Sequence, residues 1–541
     1  MVKAQEEQKR RSSISTLRVI GLCLLSAGIA ELIFTGFTFS QRLLYSAGRI
    51  SILFLTFYIV HRFAQATLSY YRPKLRDLFI FHSVLIGAIC ITGLGRFFAL
   101  ALTEYSRSQP FFVSLHAESL HFAIPFAAGG MMLQAVLGLH FGLVFALCLS
   151  LTLGLYTPVN VSSVFVPYVF VTNLVACLSM ARFRSRSAYL KAGLNVAIIS
   201  LPFALASFVT GTNVDINDLA VRVAGAFLSG ALCTFIVAGI TPAFEYLGGY
   251  VTDMRLIEIA TLDNPLLKDL SLRAPGTWNH SMVLGMVGEA AASEIGANAL
   301  LVRVGAYFHD IGKIKKPAYF VENQMVGENR HEKLSTSMSA LIIRSHVKDG
   351  IELAHKHKIP QAIIDMIPQH HGTSLIEYFY SKACKEAEEA GEGTEVDKNL
   401  FTYPGPKPQT REAGILMLAD KIESATRTLA EPTVDRIQGL VQKMINKIFA
   451  SGELDECDLT LRDLHAIAAC FTRVLSSIYH QRIAYAEPAE KTAEVRAEAK
   501  EVGGESSPAP LESAEKNGQK TSAGEAAARP KGAEDLKRLG M

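Results

Sequence analysis

Arg303-Val-Gly-Ala-Tyr-Phe-His309-Asp310-Ile-Gly-Lys313 reads as an apolar helical run that carries an imidazole and a carboxylate side by side. Successive side chains on a helix of about 3.6 residues per turn point about 100° apart. His309 and Asp310 therefore cannot serve one ion as an i, i+4 pair would, but they can serve two neighbouring ions if the carboxylate bridges. Gln369-His370-His371-Gly-Thr373 poses the same geometry again. Adjacent ligands repeated twice favour a two-metal site over a single ion. His280, His346 and Asp420 (in Leu416-Met-Leu-Ala-Asp420) supply the remaining ligands in this reading. Imidazole and carboxylate donors without thiolate suit two divalent transition metals, iron or manganese, better than a closed structural zinc site. A pair of ions roughly 3.5–4 Å apart stabilises both the attacking and the leaving oxygen of a phosphoryl displacement, so the set implies metal-assisted hydrolysis.

Around this cluster, residues 280–482 have helical periodicity nearly throughout and no convincing alternating strand. Gly296 sits where a helix should stop, Ser337 to Val347 reads as a helix, and Pro360 opens the next at its first turn. Residues 244–279 read as a connector made of a short helix and a turn, and 385–411 as a polar surface loop. From about 486 the chain is Ala, Glu, Lys, Gly and Pro with almost no large apolar residue, so 483–541 is expected to be a disordered tail.

Upstream the composition changes. The whole chain has 541 residues, a formal charge of +3 and 50% hydrophobic residues, with mean hydropathy +0.25. That charge is too small to argue for a nucleic-acid polymer as partner. The average hides a series of apolar runs long enough to cross a bilayer, at roughly 20 residues per helix. Eight are expected: 17–39, 45–64, 78–101, 121–138, 139–156, 161–182, 188–210 and 219–243, the fourth and fifth forming a tight hairpin. A count of seven is the alternative. Basic residues cluster at Lys9, Arg10, Arg11 and Arg18, at Arg62, Arg72, Lys74 and Arg76, and at Arg182, Arg184, Arg186 and Lys191, whereas 211–218 is acidic. With eight spans all three basic segments share the cytoplasmic side, and the helical domain follows into the cytoplasm. The fold class is all-α, a polytopic membrane domain of 17–243 behind a basic N-terminus (1–16), followed by a soluble helical domain. The first run has Glu31 where a cleavage site would need small residues, so it reads as an uncleaved anchor. Glu31 is also the intramembrane charge best suited to ligand or signal sensing. Five of the eight cysteines lie in spans and three are isolated, as suits a reducing cytoplasm.

Other histidines have plainer readings. His355, His357, His465 and His480 read as surface residues, and His331 as a weaker neighbour of the pocket.

Residues 255–482 resemble the HD phosphohydrolase superfamily, and more narrowly the catalytic domain of the seven-transmembrane HD family of PgpH-type cyclic di-AMP phosphodiesterases. The resemblance rests on Asn264-Pro-Leu-Leu-Lys268, Ala274-Pro-Gly-Thr-Trp-Asn-His280-Ser, Arg303 through Lys313 and Tyr319-Phe-Val-Glu-Asn-Gln324. It continues with Ser345-His346-Val, Gln369 through Thr373, Tyr403-Pro-Gly-Pro-Lys-Pro-Gln-Thr410 and Leu418-Ala-Asp420. It implies that His280, His309, Asp310 and Asp420 bind one metal and that Asp310 bridges to a second held by His346, His370 and His371. It implies further that Lys313 neutralises phosphate charge, with Thr373 and Lys407 as substrate contacts, and that cyclic di-AMP is opened to pApA in a bacterial inner membrane. A homodimer is compatible with it, though no interface is read. Two departures stand out. The family's better-known members carry a large extracytoplasmic domain after the first span, where only about five residues (40–44) separate the first two runs here. Arg330 and Trp278 stand where the family often has Pro and Tyr, and the Gly-Tyr-Pro signature of the related cyclic di-GMP hydrolases is replaced by Ser374-Leu-Ile-Glu-Tyr-Phe-Tyr380.

Overall fold

The computed structural model describes residues 2–36, 43–68, 71, 73–108, 115–157, 159–180, 187–210, 215–324, 329–389 and 396–479. The expected tail, His480, Arg72 and the basic Arg182, Arg184 and Arg186 lie outside the described residues. Among those described every regular element is helical, and the single strand-like pairing is the isolated bridge Leu375–Thr402.

The apolar half comprises α1 (Val2–Thr35), α2 (Leu43–Thr67), α3 (Leu75–Ser108), α4 (Ala117–Leu120), α5 (Ala128–Leu137), α6 (Leu139–Leu155), α7 (Val159–Met180), α8 (Ser187–Val209) and α9 (Ile216–Gly248). Seven segments among the described residues are long and apolar enough to span a bilayer. The expected fourth span is broken: α4, a 3-10 turn at His121–Ala123 and α5 share it. The expected fifth is the 17-residue α6, about 25 Å long and so short of the ~30 Å hydrocarbon core. Gly138, at φ +91°, joins α5 to α6; this backbone favours glycine and allows the tight reversal. Glu31 is fully buried and closed by a two-point ion pair, Arg49 Nη2 to Oε1 at 2.6 Å and Nε to Oε2 at 2.9 Å. The Tyr156 hydroxyl adds a third bond at 2.7 Å. The charge expected to sense a signal is thus a fastening of α1 to α2 and α6.

The second half comprises α10 (Asp253–Ile259), α11 (Pro265–Arg273), α12 (Pro275–Glu294), α13 (Ala299–Phe308), α14 (Thr336–Lys356), α15 (Gln361–Gln369), α16 (Glu377–Glu389), α17 (Arg411–Thr426), α18 (Val434–Ala450) and α19 (Leu461–Tyr479). Side chains of Asn264, Asn298, Ser335 and Thr410 cap α11, α13, α14 and α17, each accepting from a backbone N–H of the first turn. Gly296, at φ +66°, follows the end of α12 as expected. The expected boundary at 280 falls inside α12, and Leu256, Ile259, Leu266, Leu267 and Leu270 join one core with Leu284, Phe308, Ile367 and Leu418. The connector therefore packs as part of the domain. The loop expected on the surface is also partly internal, since Phe401 and Tyr403 are buried.

His309 and Asp310 do not continue a helix. α13 ends at Phe308, His309 is its cap, and a 3-10 turn runs over Ile311–Lys315. The cause is tertiary. A Cβ on Gly312 would lie 1.9 Å from the His346 carbonyl oxygen and 2.6 Å from the Gly350 amide nitrogen, so the turn is pressed against the backbone of α14. Gly312→Ala should accordingly destabilise the domain by about 1–3 kcal/mol, lowering its unfolding temperature by several degrees in a calorimetric scan; an unchanged temperature would contradict the close approach.

Candidate metal centre

Two helix ends and three helix faces converge. His309 and Asp310 leave α13, His370 and His371 leave α15, His346 projects from α14, His280 from α12 and Asp420 from α17. All but His371 are buried. The Asp310 carboxylate lies between two imidazole groups. Its Oδ1 is 3.3 Å from His346 Nε2 and 3.8 Å from His370 Nε2, while its Oδ2 is 3.2 Å from His309 Nε2 and 2.7 Å from Lys313 Nζ. Beyond His309, Asp420 Oδ1 is 3.0 Å from His280 Nε2 and 3.9 Å from His309 Nε2. Donor atoms lie close enough to hold an ion in three overlapping sets: His280, His309 and Asp420; His309, Asp310 and His370; and His346, His370 and His371.

Local backbone geometry selects the tautomers. Nδ1 of His309, His346 and His370 donates to the carbonyl three residues earlier, at 2.6, 2.5 and 2.5 Å (Ala306, Ile343 and Ile367). Each ring thereby presents its Nε2 lone pair inward, as a metal-binding histidine requires. Those three Nε2 atoms and Asp310 Oδ1 are buried without a hydrogen-bond partner. Each such orphan costs about 1–3 kcal/mol, against a whole-domain stability of ~5–15 kcal/mol. Folding alone gives no reason to assemble four of them, whereas divalent cations satisfy all four, so the residues present fit a metal centre.

Charge follows the same layout. Burial holds the His370 ring down to about 3, with His309 adding to the effect, and it holds His371 well below the usual imidazole range, helped by His370. Burial opposes ionisation of Asp310, yet His309 and Lys313 keep it far below the usual carboxylate range. For His280 burial is again opposed and outweighed, here by hydrogen bonds to Asp420 and Glu423 that raise it to about 10.

Lys313 Nζ bridges Asp310 and Glu322 Oε1, both at 2.7 Å, and stands 4.9 Å from the Phe320 ring centroid. It opens on a cavity of about 350 Å³ lined also by His280, Asp310, His371, Asp420 and Arg427. Thr373 and Lys407 do not line that cavity. Thr373 gives its amide and hydroxyl to Glu453, at 3.0 and 2.6 Å, and Lys407 donates to the Gly452 carbonyl at 2.8 Å. His331 is turned away, its Nε2 2.8 Å from the Tyr319 carbonyl oxygen. Exposed His355, His357 and His465 match their surface reading.

Glu423 was not legible as a site residue. Its Oε2 lies 2.5 Å from His280 Nδ1, and Tyr479 donates to its Oε1 at 2.5 Å. The available signal is its spacing from Asp420, three residues along α17 and on the same face. Tyr403 was likewise hidden; its ring stacks on His371, centroids 4.1 Å apart.

The geometry is that of a buried His/Asp cluster able to hold metal ions, and it follows the apolar half in the chain. Residues 43–252 match the family described as "7TM receptor with intracellular HD hydrolase", and 277–425 match the HD domain. The two matches follow one another along the chain in the order that description gives, membrane part before HD domain. Two relatives share 34% identity: a protein named cyclic-di-AMP phosphodiesterase PgpH from Bacillus subtilis, over 79% of this chain and 59% of its own length, and its namesake from Listeria monocytogenes, over 76% and 55%. The chain thus spans less than two thirds of the length of either. A crystal structure of the L. monocytogenes PgpH HD domain in complex with cyclic-di-AMP is 45% identical, covers 41% of this chain and all of its own, and has a TM-score of 0.38.

Glu423→Ala removes the group that orients His280. Metal affinity should fall about 10–100-fold, as read by competition with a fluorescent chelator, with little change in helical content. Affinity equal to wild type would show that Glu423 does not act on the centre.

Proposed function

We propose that the chain is a membrane-anchored, metal-dependent phosphodiesterase that opens cyclic di-AMP to pApA. The observation that carries the reading is the Asp310 carboxylate held between two sets of inward-facing imidazoles with their Nε2 atoms unpartnered. His280, His309, Asp310 and Asp420 would hold one divalent ion, and Asp310 with His346, His370 and His371 a second. The donors, nitrogen and oxygen without sulfur, favour manganese or iron. When bound, such a pair supplies Lewis-acid stabilisation to an in-line phosphoryl displacement.

The protein's own residues bind and orient. Burial works against the Lys313 ammonium, but Asp310 and Glu322 hold it above the usual lysine range, so it meets phosphate fully charged. Arg427, at the cavity wall, is placed for a second phosphate oxygen. Glu423 holds His280 from behind, and Glu322 fixes Lys313. The choice of nucleotide is supported by the names of the two 34% identical relatives.

The centre is proposed to face the cytoplasm of a bacterial cell, beneath its inner membrane. With the short α6 counted as a span and α4 and α5 as one, residues 43–252 hold seven apolar segments after α1. Adding α1 makes eight, which returns the chain to the side of its basic N-terminus. The family's own description, an intracellular HD hydrolase, supports the same side.

The test is turnover by the detergent-purified chain with manganese, cyclic di-AMP and cyclic di-GMP assayed side by side. Cyclic di-AMP should be consumed and pApA formed, with cyclic di-GMP the poorer substrate. Asp310→Ala should lower the rate by at least about 10²–10³-fold while the helical signal survives. Near-wild-type activity of that variant would remove Asp310 from its central role.

A further inference from the structure

Two buried carboxylates of the membrane half are closed by arginines. Glu31 is paired with Arg49, and Asp218 with Arg222 at 2.8 Å. Arg96, on α3, has no carboxylate partner among the described residues. Its Nη1 reaches the Tyr156 carbonyl oxygen at 3.3 Å, and its guanidinium stands 5.4 Å from the Phe34 ring centroid. That leaves most of its five N–H donors free. They border a cavity of about 140 Å³. Glu118, also unpaired among the described residues, lines the same cavity, and Ile124, Phe126 and Phe165 form apolar walls. An unpaired ionisable group in a membrane span is expensive and points to a ligand.

The cavity is remote from the metal centre. Asp77, near the start of α3, accepts a hydrogen bond from Tyr250, where the chain enters the HD domain. Arg96 lies about 28 Å further along α3, at 1.5 Å per residue. The volume is well below the roughly 300–1,000 Å³ of pockets for drug-sized molecules, which excludes a dinucleotide. One cationic and one anionic group, with His121, Thr92 and Thr157 beside them and apolar surface beyond, match a molecule bearing both charges at one end and hydrocarbon at the other.

We propose that this cavity binds a small zwitterion, an α-amino acid with an aliphatic side chain, its carboxylate on Arg96, its ammonium toward Glu118 and its side chain against Ile124, Phe126 and Phe165. The planar guanidinium suits two-point pairing with a carboxylate. The site is independent of the catalytic reading, because binding is measured without turnover.

The experiment is thermal unfolding of the full detergent-purified chain with three probes: L-leucine, 4-methylpentanoate, which lacks the ammonium, and 3-methylbutylamine, which lacks the carboxylate. L-Leucine at ~10 mM should raise the unfolding temperature by about 2 °C or more. Neither analogue should match it. Arg96→Gln should abolish the shift. Glu118→Gln, a change at an exposed side chain, should reduce it and carries the test if Arg96→Gln does not fold. No shift with L-leucine in the wild-type chain, or an undiminished shift in Glu118→Gln, would overturn the proposal. An equal shift with 4-methylpentanoate would overturn the zwitterion assignment.

Discussion

A single buried carboxylate organises the domain. Asp310 stands between Nε2 of His309 on one side and Nε2 of His346 and His370 on the other, within 3.2–3.8 Å of each. The three rings cannot turn to relieve their unpartnered nitrogens, because each Nδ1 is tied to the carbonyl three residues before it. The arrangement is unfavourable without cations and requires rigid support. The tight packing of Gly312 on α14 and the capped starts of α13, α14 and α17 supply it. Stability here serves geometry, since four orphaned polar atoms would otherwise be selected against.

Support extends outward in a second layer. Glu423 holds His280 and is itself held by Tyr479 from the last helix. Glu322 holds Lys313, and Thr277 donates to Glu322 at 2.9 Å, so α12 positions both His280 and the partner of Lys313. Glu453 closes the turn after His371, where Gly372 at φ +56° has no room for a Cβ. These carboxylates come from distant parts of the chain, which couples the centre to the fold of the whole domain.

Much of this was legible in sequence because chemistry leaves rare residue types at rare spacings. His309-Asp310 and His370-His371 stand out by adjacency, and the structure brings them together; the apolar runs announce themselves by length. What stayed hidden is tertiary. The apolar pattern before His309 does not show that α13 ends at Phe308; the contact of Gly312 with the α14 backbone decides that. Glu423 reads as one more carboxylate on a helix until His280 is seen beside it. Tyr403 lies in a run of Pro and Gly that reads as surface, yet its ring stacks on His371. Glu31 invited a sensory reading because its partner Arg49 lies on another helix, and α6 turned out too short to be a full span by length alone. Thr373 and Lys407 are near the ligands in sequence but are engaged by Glu453 and Gly452.

The central claim is that Asp310 joins two metal positions. Metal content of the purified full chain, loaded with manganese, freed of loose ions and measured by plasma mass spectrometry, tests it most directly. The account predicts two ions per chain in the wild type and a loss in Asp310→Ala that affects both positions. One ion per chain or fewer in the wild type, or two retained in Asp310→Ala, would contradict it.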